Sequence, residues 1–249
     1  LPKTAWPPTS VVNSGLIFEF RNQTESGFET KEYLYPEGIT DYVKEILGEE
    51  EALTQVQFWQ AERRGKDRED KPEYKVKLSV AVAFSNRIKL TEYYHNSSFL
   101  EYGGAPDKAV RQAFVSQIDS YLKQTGKYLK NESKINFTDV EDCLVLVSSS
   151  FSTQTSYENQ TKKAINNKFI YEAMTDFLKH QLEVFFLENP DDANRIAEQV
   201  MINKRSRENA EKTRLNLKKK LAGSIDITNR VQKFVDCRTK DISRREIYI

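Results

Sequence analysis

Hydrophobic and polar positions divide the chain into a β-rich first third and a helical second half. Leu16-Ile17-Phe18-Glu19-Phe20 alternates as a half-buried strand does. Asn22 to Gly27 supplies turn chemistry, and Phe28 to Tyr35 is predicted as a second strand. After Pro36-Glu37-Gly38, the residues Ile39, Tyr42, Val43, Ile46 and Leu47 recur at three- and four-residue spacing, which predicts a short helix. Val56 to Ala61 and Tyr74 to Phe84 are predicted as two longer strands. Between them Arg63 to Pro72 is almost wholly charged and is expected to be a solvated hairpin loop.

Around Tyr102-Gly103-Gly104 the pattern changes. Pro106 suits a first helical position, where its missing N–H costs nothing. Val110, Ala113, Phe114, Ile118, Tyr121 and Leu122 then form one apolar stripe, predicting a helix from Pro106 to Lys123. Cys143-Leu144-Val145-Leu146-Val147 is a continuous apolar run suited to a strand covered on both faces, and the polar stretch Ser148 to Ser156 is expected to leave the sheet. From Asn167 a helical period is held by Ile170, Ala173, Met174, Phe177, Leu178, Leu182, Phe185 and Phe186. Glu188-Asn189-Pro190 breaks it. Asp191 or Asp192 is expected to cap a second helix running to about Leu221, with Gly223 as its terminating glycine. This order of elements predicts an α/β fold, with helices on a mainly antiparallel or mixed sheet and a long C-terminal helical extension.

Composition adds limits. The 249 residues are 38% hydrophobic and 30% charged, which is globular rather than disordered, and the net charge of +1 says nothing about nucleic acid. Cys143 and Cys237 lie far apart in a chain with many ways to build a core, a pattern that favours reduced thiols in a cytoplasm. Five Asn-x-Ser/Thr sites, at Asn22, Asn96, Asn131, Asn136 and Asn159, are of the kind that an Asn-, Ser- and Thr-rich chain gives by chance. No signal peptide opens the chain and no apolar window is long enough to cross a membrane. No methionine opens it either, and it stops on the strand-like Glu246-Ile247-Tyr248-Ile249, so both ends are expected to be internal to a longer protein.

The chemistry-bearing motifs are few. Gly126-Lys127 is followed by Tyr128, so it is no P-loop, and there is no Gly-x-Gly-x-x-Gly, Cys-x-x-Cys or His-Glu-x-x-His. His95 and His180 stand alone and are read as structural or surface residues. Ser148 to Ser150 lack both a neighbouring base and a nucleophile elbow. A self-contained active site is not expected. Two features remain. On the loop Glu158 to Lys163, Gln160 and Lys162 stand two residues apart, and an amide and an ammonium so placed suit phosphate oxygens, although such a stretch is more often an ordinary solvated turn. Lys204, Arg205, Arg207, Lys212, Arg214, Lys218, Lys219 and Lys220 stand against only Glu208 and Glu211, a local field that duplex phosphates would feel unless the run is merely a solvated helix face. Aromatic interleaving is absent, which argues against single-strand stacking.

Glu158-Asn159-Gln160-Thr161-Lys162 resembles the Glu-Gly-Gln-Thr-Lys segment of the B (ATPase) subunits of bacterial type IIA DNA topoisomerases, gyrase and topoisomerase IV. Asp236-Cys237, Asp241 and Arg245-Glu246-Ile247-Tyr248-Ile249 resemble that family's entry into its TOPRIM domain. Asn13-Ser14-Gly15-Leu16 resembles the opening of its transducer domain, and Lys204 to Ala222 its charged helix. The resemblance implies a ribosomal-S5-domain-2-like transducer over 11–188, with a mixed sheet and a left-handed β-α-β crossover. It also implies a linker over 1–10 from an upstream ATPase domain, a long basic helix over 189–223, and over 224–249 a linker and the first strand of a TOPRIM domain. Asn159, Lys163-Ala164-Ile165 and the stretch Asn96 to Pro106 depart from the family pattern and imply a divergent member.

What the resemblance implies for function is double-strand passage driven by ATP. Gln160 and Lys162 would reach the γ-phosphate, Lys162 as the catalytic contact. ATP and magnesium would be bound mainly by other parts of the enzyme, and no metal ligand falls in this chain. The implied partners are duplex DNA, the topoisomerase A subunit and a second B subunit; no membrane is involved, and the compartment is the cytoplasm. The competing reading is a cytoplasmic nucleic-acid-binding or scaffold protein working through the basic helix 204–220.

Overall fold

In the computed structural model of the chain, residues 10–25, 27–49, 52–223, 241 and 243 are described. The expected linker over 1–10, save Ser10, lies outside them. So do Asp236-Cys237 and the expected TOPRIM strand at Arg245 to Ile249. The chain forms two compact units, Leu1–Lys204 and Arg205–Ile249.

The first strands of the Leu1–Lys204 unit form a two-stranded antiparallel hairpin, β1 (Phe18–Thr24) and β2 (Gly27–Tyr33), in which Phe18 faces Tyr33 and Thr24 faces Gly27. The first strand therefore starts later than its alternation predicts and consumes the expected turn. Asn22 pairs with Glu29, and the reversal tightens to the residues after Thr24. Leu16 and Ile17 are exposed rather than half-buried in a strand. Helix α1 (Ile39–Leu47) follows with Ile39, Val43 and Leu47 buried, one side chain per turn on the face it buries.

The central sheet has five strands: β3 (Gln57–Gly65), β4 (Tyr74–Phe84), β5 (Leu90–His95), β6 (Ser98–Phe99) and β8 (Leu144–Ser152), in the order β3-β4-β8-β5-β6. All neighbours are antiparallel except β5 and β8, which run parallel. A parallel pair needs a crossover. Here it contains β7 (Gly103–Gly104), α2 (Ala105–Gln124) and the short α3 (Phe137–Glu141), whose start is held by a reciprocal Asn136–Asp139 capping box. The mixed α/β sheet with helices is as the sequence predicts.

Period-two alternation sorts the central strands onto two cores. Val76, Leu78, Val80, Val82 and Phe84 of β4, with Leu144 and Leu146 of β8, face a large core shared with α2 and α4 (Lys168–Glu188). Ala81, Ala83, Val145 and Val147 face a smaller one closed by α1. The sheet is thus covered on both sides, and the continuous apolar runs Val80 to Phe84 of β4 and Leu144 to Val147 of β8 follow from that.

Two expectations change here. The serines Ser148, Ser150 and Ser152 do not leave the sheet: β8 runs on to Ser152, pairing Ser149 with Ser79 and Ser152 with Val76. Buried hydroxyls are tolerated when bonded, and Ser150 Oγ lies 2.8 Å from His95 Nδ1 and 3.2 Å from the Tyr94 carbonyl. The last helix, α5 (Pro190–Gly223), starts at Pro190 itself rather than after an aspartate cap. The Asn189 carbonyl accepts the Ala193 N–H at 3.0 Å, which places proline at the first helical position while Asp191 and Asp192 sit in the first turn. Ala193, Ile196, Ala197, Val200 and Met201 of this helix belong to the large core, so the first compact unit extends to Lys204, past the boundary expected at 188/189.

Candidate functional site

The loop carrying Gln160 and Lys162 stands on a short ladder. Asn166 N–H donates to the Ser156 carbonyl at 2.9 Å, Tyr157 bridges Ile165, and Glu158 N–H donates to the Ala164 carbonyl at 3.0 Å. Five residues, Asn159 to Lys163, make the turn. Asn159 organises it: its side-chain oxygen accepts the Thr161 N–H at 3.2 Å and also the Thr161 hydroxyl, while its carbonyl accepts the Lys162 N–H at 3.3 Å. Lys162 lies in the left-handed region, at φ 56°. Asparagine at a position where the family motif has glycine is thereby explained: it supplies side-chain bonds that glycine lacks.

The loop's return strand is pinned from the side. β9 (Ala164–Ile165) pairs in parallel with β7, Gly103 opposite Ala164 and Gly104 opposite Ile165. The Tyr102 N–H donates to the Lys163 carbonyl at 2.9 Å. Gly104 has φ 78°, and a Cβ there would run into the Ile165 backbone, so only glycine permits this approach. Asn96 to Pro106 departs from the family pattern in sequence, yet its surviving Gly-Gly supplies the surface against which the loop is laid.

Within this frame the two lysines separate. Lys163 pairs with Glu101 and lies 5.5 Å from the Tyr102 ring centre. Lys162 is exposed, its ammonium 5.7 Å from the Tyr157 ring centre, and among the described residues no carboxylate pairs with it. Gln160 is exposed on the same turn. An unneutralised ammonium and an amide on a pre-formed turn can receive an anion without first breaking an ion pair.

The basic run is not uniform. Lys204 is fully buried, its ammonium 3.1 Å from Glu132, so it belongs to the packing of the first unit and not to a cationic surface. A buried ammonium needs a counter-charge, and Glu132 from the connector after α2 provides it. Arg205, Lys212, Arg214, Lys218 and Lys219 are exposed and Arg207 partly so, with Arg207 3.5 Å from Glu211 one turn on. The side chain of Lys220 lies outside the described residues. Among the described side chains the surface run is therefore Arg205 to Lys219, six cations against two carboxylates, a net of +4.

Other candidate groups are structural. His95 is buried, its Nδ1 2.8 Å from Ser150 Oγ and its Nε2 2.8 Å from Thr155 Oγ1; burial pushes its pKa down to about 4. Asn96 closes the same knot through the backbone of Ser152 and the Thr155 hydroxyl. Isolated along the chain, His95 gains its partner Ser150 through the pairing of β5 with β8. Cys143 is a free thiol, wholly buried, and desolvation raises its pKa to about 12. Among the described residues no group of three or more His, Cys, Asp or Glu side chains could hold a metal ion, and no helix is long and apolar enough to cross a membrane.

Comparison with known proteins agrees with this architecture. A family model described as DNA gyrase B matches residues 38–216. The chain is 26% identical over 245 residues to the DNA gyrase B protein of Mycoplasmoides gallisepticum, covering 96% of this chain and 37% of that relative. Against the DNA gyrase B protein of Mycoplasma genitalium it is 25% identical over 241 residues, again covering 96% and 37%. Among solved structures, the 43K ATPase domain of Thermus thermophilus gyrase B superposes with a TM-score of 0.61 at 19% identity, over 84% of this chain and 53% of that one. The topoisomerase IV ATP-binding domain of Francisella tularensis gives 0.61 at 19% identity, over 81% and 51%.

Proposed function

Since this chain belongs to the DNA gyrase B family, we propose that it is the coupling part of an ATP-dependent type IIA DNA topoisomerase, an isomerase that passes one duplex through a double-strand break. It spans 37% of the length of the curated relatives it matches, and the nucleotide pocket and the magnesium are assigned to the remainder. Its own contribution is the turn 159–163, with Lys162 reaching the γ-phosphate and Gln160 donating beside it. The observation that carries this reading is the contrast between two adjacent lysines. Lys163 is neutralised by Glu101, whereas Lys162 is exposed on a turn braced from two sides. The relatives described as ATPase and ATP-binding domains support the same substrate.

The chemistry follows from that position. As a phosphoryl group is transferred, its charge spreads over its three equatorial oxygens and negative charge builds on the leaving oxygen. A fixed ammonium lowers the energy of that state more than that of the bound nucleotide. Because the lysine comes from a different part of the protein than the pocket, it meets the phosphate only on closure, so its contact reports nucleotide state to the rest of the chain. Residues 11–188 are read as the transducer, of ribosomal-S5-domain-2-like fold, with a left-handed crossover from β5 through α2 to β8, against the usual handedness. The basic run Arg205 to Lys220 is read as the part that meets duplex DNA. The other partners are a second B subunit and the A subunit, in the cytoplasm. No residue of this chain is assigned to magnesium.

The test is to compare Lys162→Ala with Lys163→Ala in the full-length protein. Loss of one preorganised cation of this kind costs about 10² to 10³ in turnover, and that is expected for Lys162→Ala with nucleotide affinity nearly unchanged. Lys163→Ala is expected to stay within a few-fold of the unaltered enzyme. Equal turnover in the two variants would refute the reading.

A further inference from the structure

The charged hairpin loop between β3 and β4 is more than a solvated connection. Asp67, near its start, reaches across to the beginning of α4. Its Oδ1 accepts the backbone N–H of Phe169 at 2.9 Å and the Tyr74 hydroxyl at 3.0 Å. Its Oδ2 accepts the side-chain amide of Asn167 at 2.9 Å. Asn167 is the residue before the first turn of α4, where asparagine normally caps the helix with its own oxygen. Here it makes no such bond. Its oxygen instead accepts the Ser156 N–H at 2.8 Å, and its amide also donates to the Tyr74 hydroxyl at 3.1 Å. Asp67 has therefore taken over the capping of α4, and a carboxylate suits the positive end of a helix better than an amide does. Asn167, relieved of that task, ties the first leg of the 156–166 loop to its last.

The contact is built on both sides. Asn167 is 3% exposed and Tyr74 5%, so their polar groups need these partners. Gly65, the last residue of β3, leaves the space in which the Phe169 ring lies; a Cβ there would collide with it. Phe169 in turn meets Tyr74 edge-on at 5.3 Å between ring centres. The loop carrying Gln160 and Lys162 thus has two anchors: the β7–β9 pairing at its tip side and this knot at its base.

We propose that Asp67 is a positioning residue for the phosphate-reaching loop, holding Lys162 in place through Asn167 and Ser156. The proposal rests on the γ-phosphate reading of Lys162, and its test has two arms that fail separately. In the full-length protein, amide hydrogen exchange over 153–167 is compared for the unaltered chain, Asp67→Ala and Asp67→Asn. Asp67→Ala is expected to speed exchange at Ser156, Glu158 and Asn166 while leaving the β8 core at 144–147 protected. Asp67→Asn keeps an acceptor for Phe169 but sets a donor against the Asn167 amide, so it is expected to loosen the loop while the start of α4 stays protected. Unchanged loop exchange in Asp67→Ala overturns the proposal.

The second arm measures kcat and nucleotide affinity for Asp67→Ala, Lys162→Ala and the pair. Small displacements of a positioned group cost up to about 10²-fold in rate. Asp67→Ala is expected to lower kcat about tenfold or more with nucleotide affinity unchanged, and the double variant to be no worse than Lys162→Ala alone. Additive losses overturn the proposal, because they would mean that Asp67 acts by another route. Full activity of Lys162→Ala sinks the phosphate reading instead, and the exchange arm then decides the anchoring alone.

Discussion

The Lys204 ammonium lies 3.1 Å from the Glu132 carboxylate, with 0% and 9% of the two side chains exposed. One side chain comes from the core-packed part of α5 and the other from the connector between α2 and α3. The pair ties a long polar connector to the last turn of the first compact unit. Glu132 also accepts the Leu129 N–H at 2.8 Å, so removing Lys204 takes away its buried counter-charge but not every partner. Breaking a buried pair in this way costs about 3–5 kcal/mol.

Lys204→Met is therefore expected to lower unfolding free energy by about 3 kcal/mol, at the low end because Glu132 keeps some access to water. Replacing both, Lys204→Met with Glu132→Leu, is expected to recover most of that loss. Urea unfolding of the two variants checks it. A double variant as unstable as the single one would show that the pair is not the source of the effect.

Stability should also depend on pH through His95. Its folded pKa is lowered to about 4, against about 6.5 in an unfolded chain. The unfolded state then binds the proton first, so the contribution of neutral His95 is complete above pH 6.5 and is lost as pH falls towards 4. At one pKa unit to 1.36 kcal/mol, the loss is about 3 kcal/mol over that window. His95→Gln is expected to flatten the stability profile between pH 7 and 4.5 relative to the unaltered chain. A parallel profile would assign the acid sensitivity to carboxylates.

Gly104→Ala should detach the lysine loop. The residue has φ 78° and its new methyl would meet the Ile165 backbone. A left-handed alanine costs about 1–2 kcal/mol and a forced backbone shift about 1–3 more. We expect a stability loss of about 2–5 kcal/mol, together with a fall in turnover comparable to that of Lys162→Ala. Melting temperature and kcat of the variant full-length protein would decide it, and an unaltered kcat would mean that the β7–β9 pairing does not hold the loop.

Duplex DNA binding by the basic run Arg205 to Lys220 should be weak, indifferent to sequence and steeply salt-dependent. Counterion release by six or more contacts gives a fall of about 10³ between 50 and 200 mM salt. Replacing Lys218 and Lys219 by alanine should reduce the slope of log affinity against log salt by about 2. Lys204→Met should leave that slope unchanged, since the buried ammonium releases no counterion. Affinity that does not change with salt, or no binding at low salt, would leave the run as a solvated helix face.

Much of this molecule can be read along the chain. Helix α1, strand β4, and helices α2 and α4 fall within a residue or two of their predicted bounds, because each carries a hydrophobic period long enough to be unambiguous. The candidate turn is legible too, since Gln160 and Lys162 are close in sequence and share one exposed loop. Strand β5, with Leu-Thr-Glu-Tyr-Tyr-His and no clean alternation, is not legible. Nor is the continuation of β8 through its serines, which are polar in type but buried by their partners.

What the sequence by itself determined was which residues could form strands and helices, and which loop carries an amide two residues from an ammonium. Local periodicity and turn chemistry are enough for that. Only the tertiary structure decided which charges act. It buried Lys204 on Glu132, neutralised Lys163 with Glu101, left Lys162 exposed, and turned Asp67 from a residue of a charged loop into the cap of a helix a hundred residues away. The partners that make these differences are brought together by strand pairing and packing. A side chain's charge is fixed by its type, but its work depends on water and on its neighbours, and both are set by the fold.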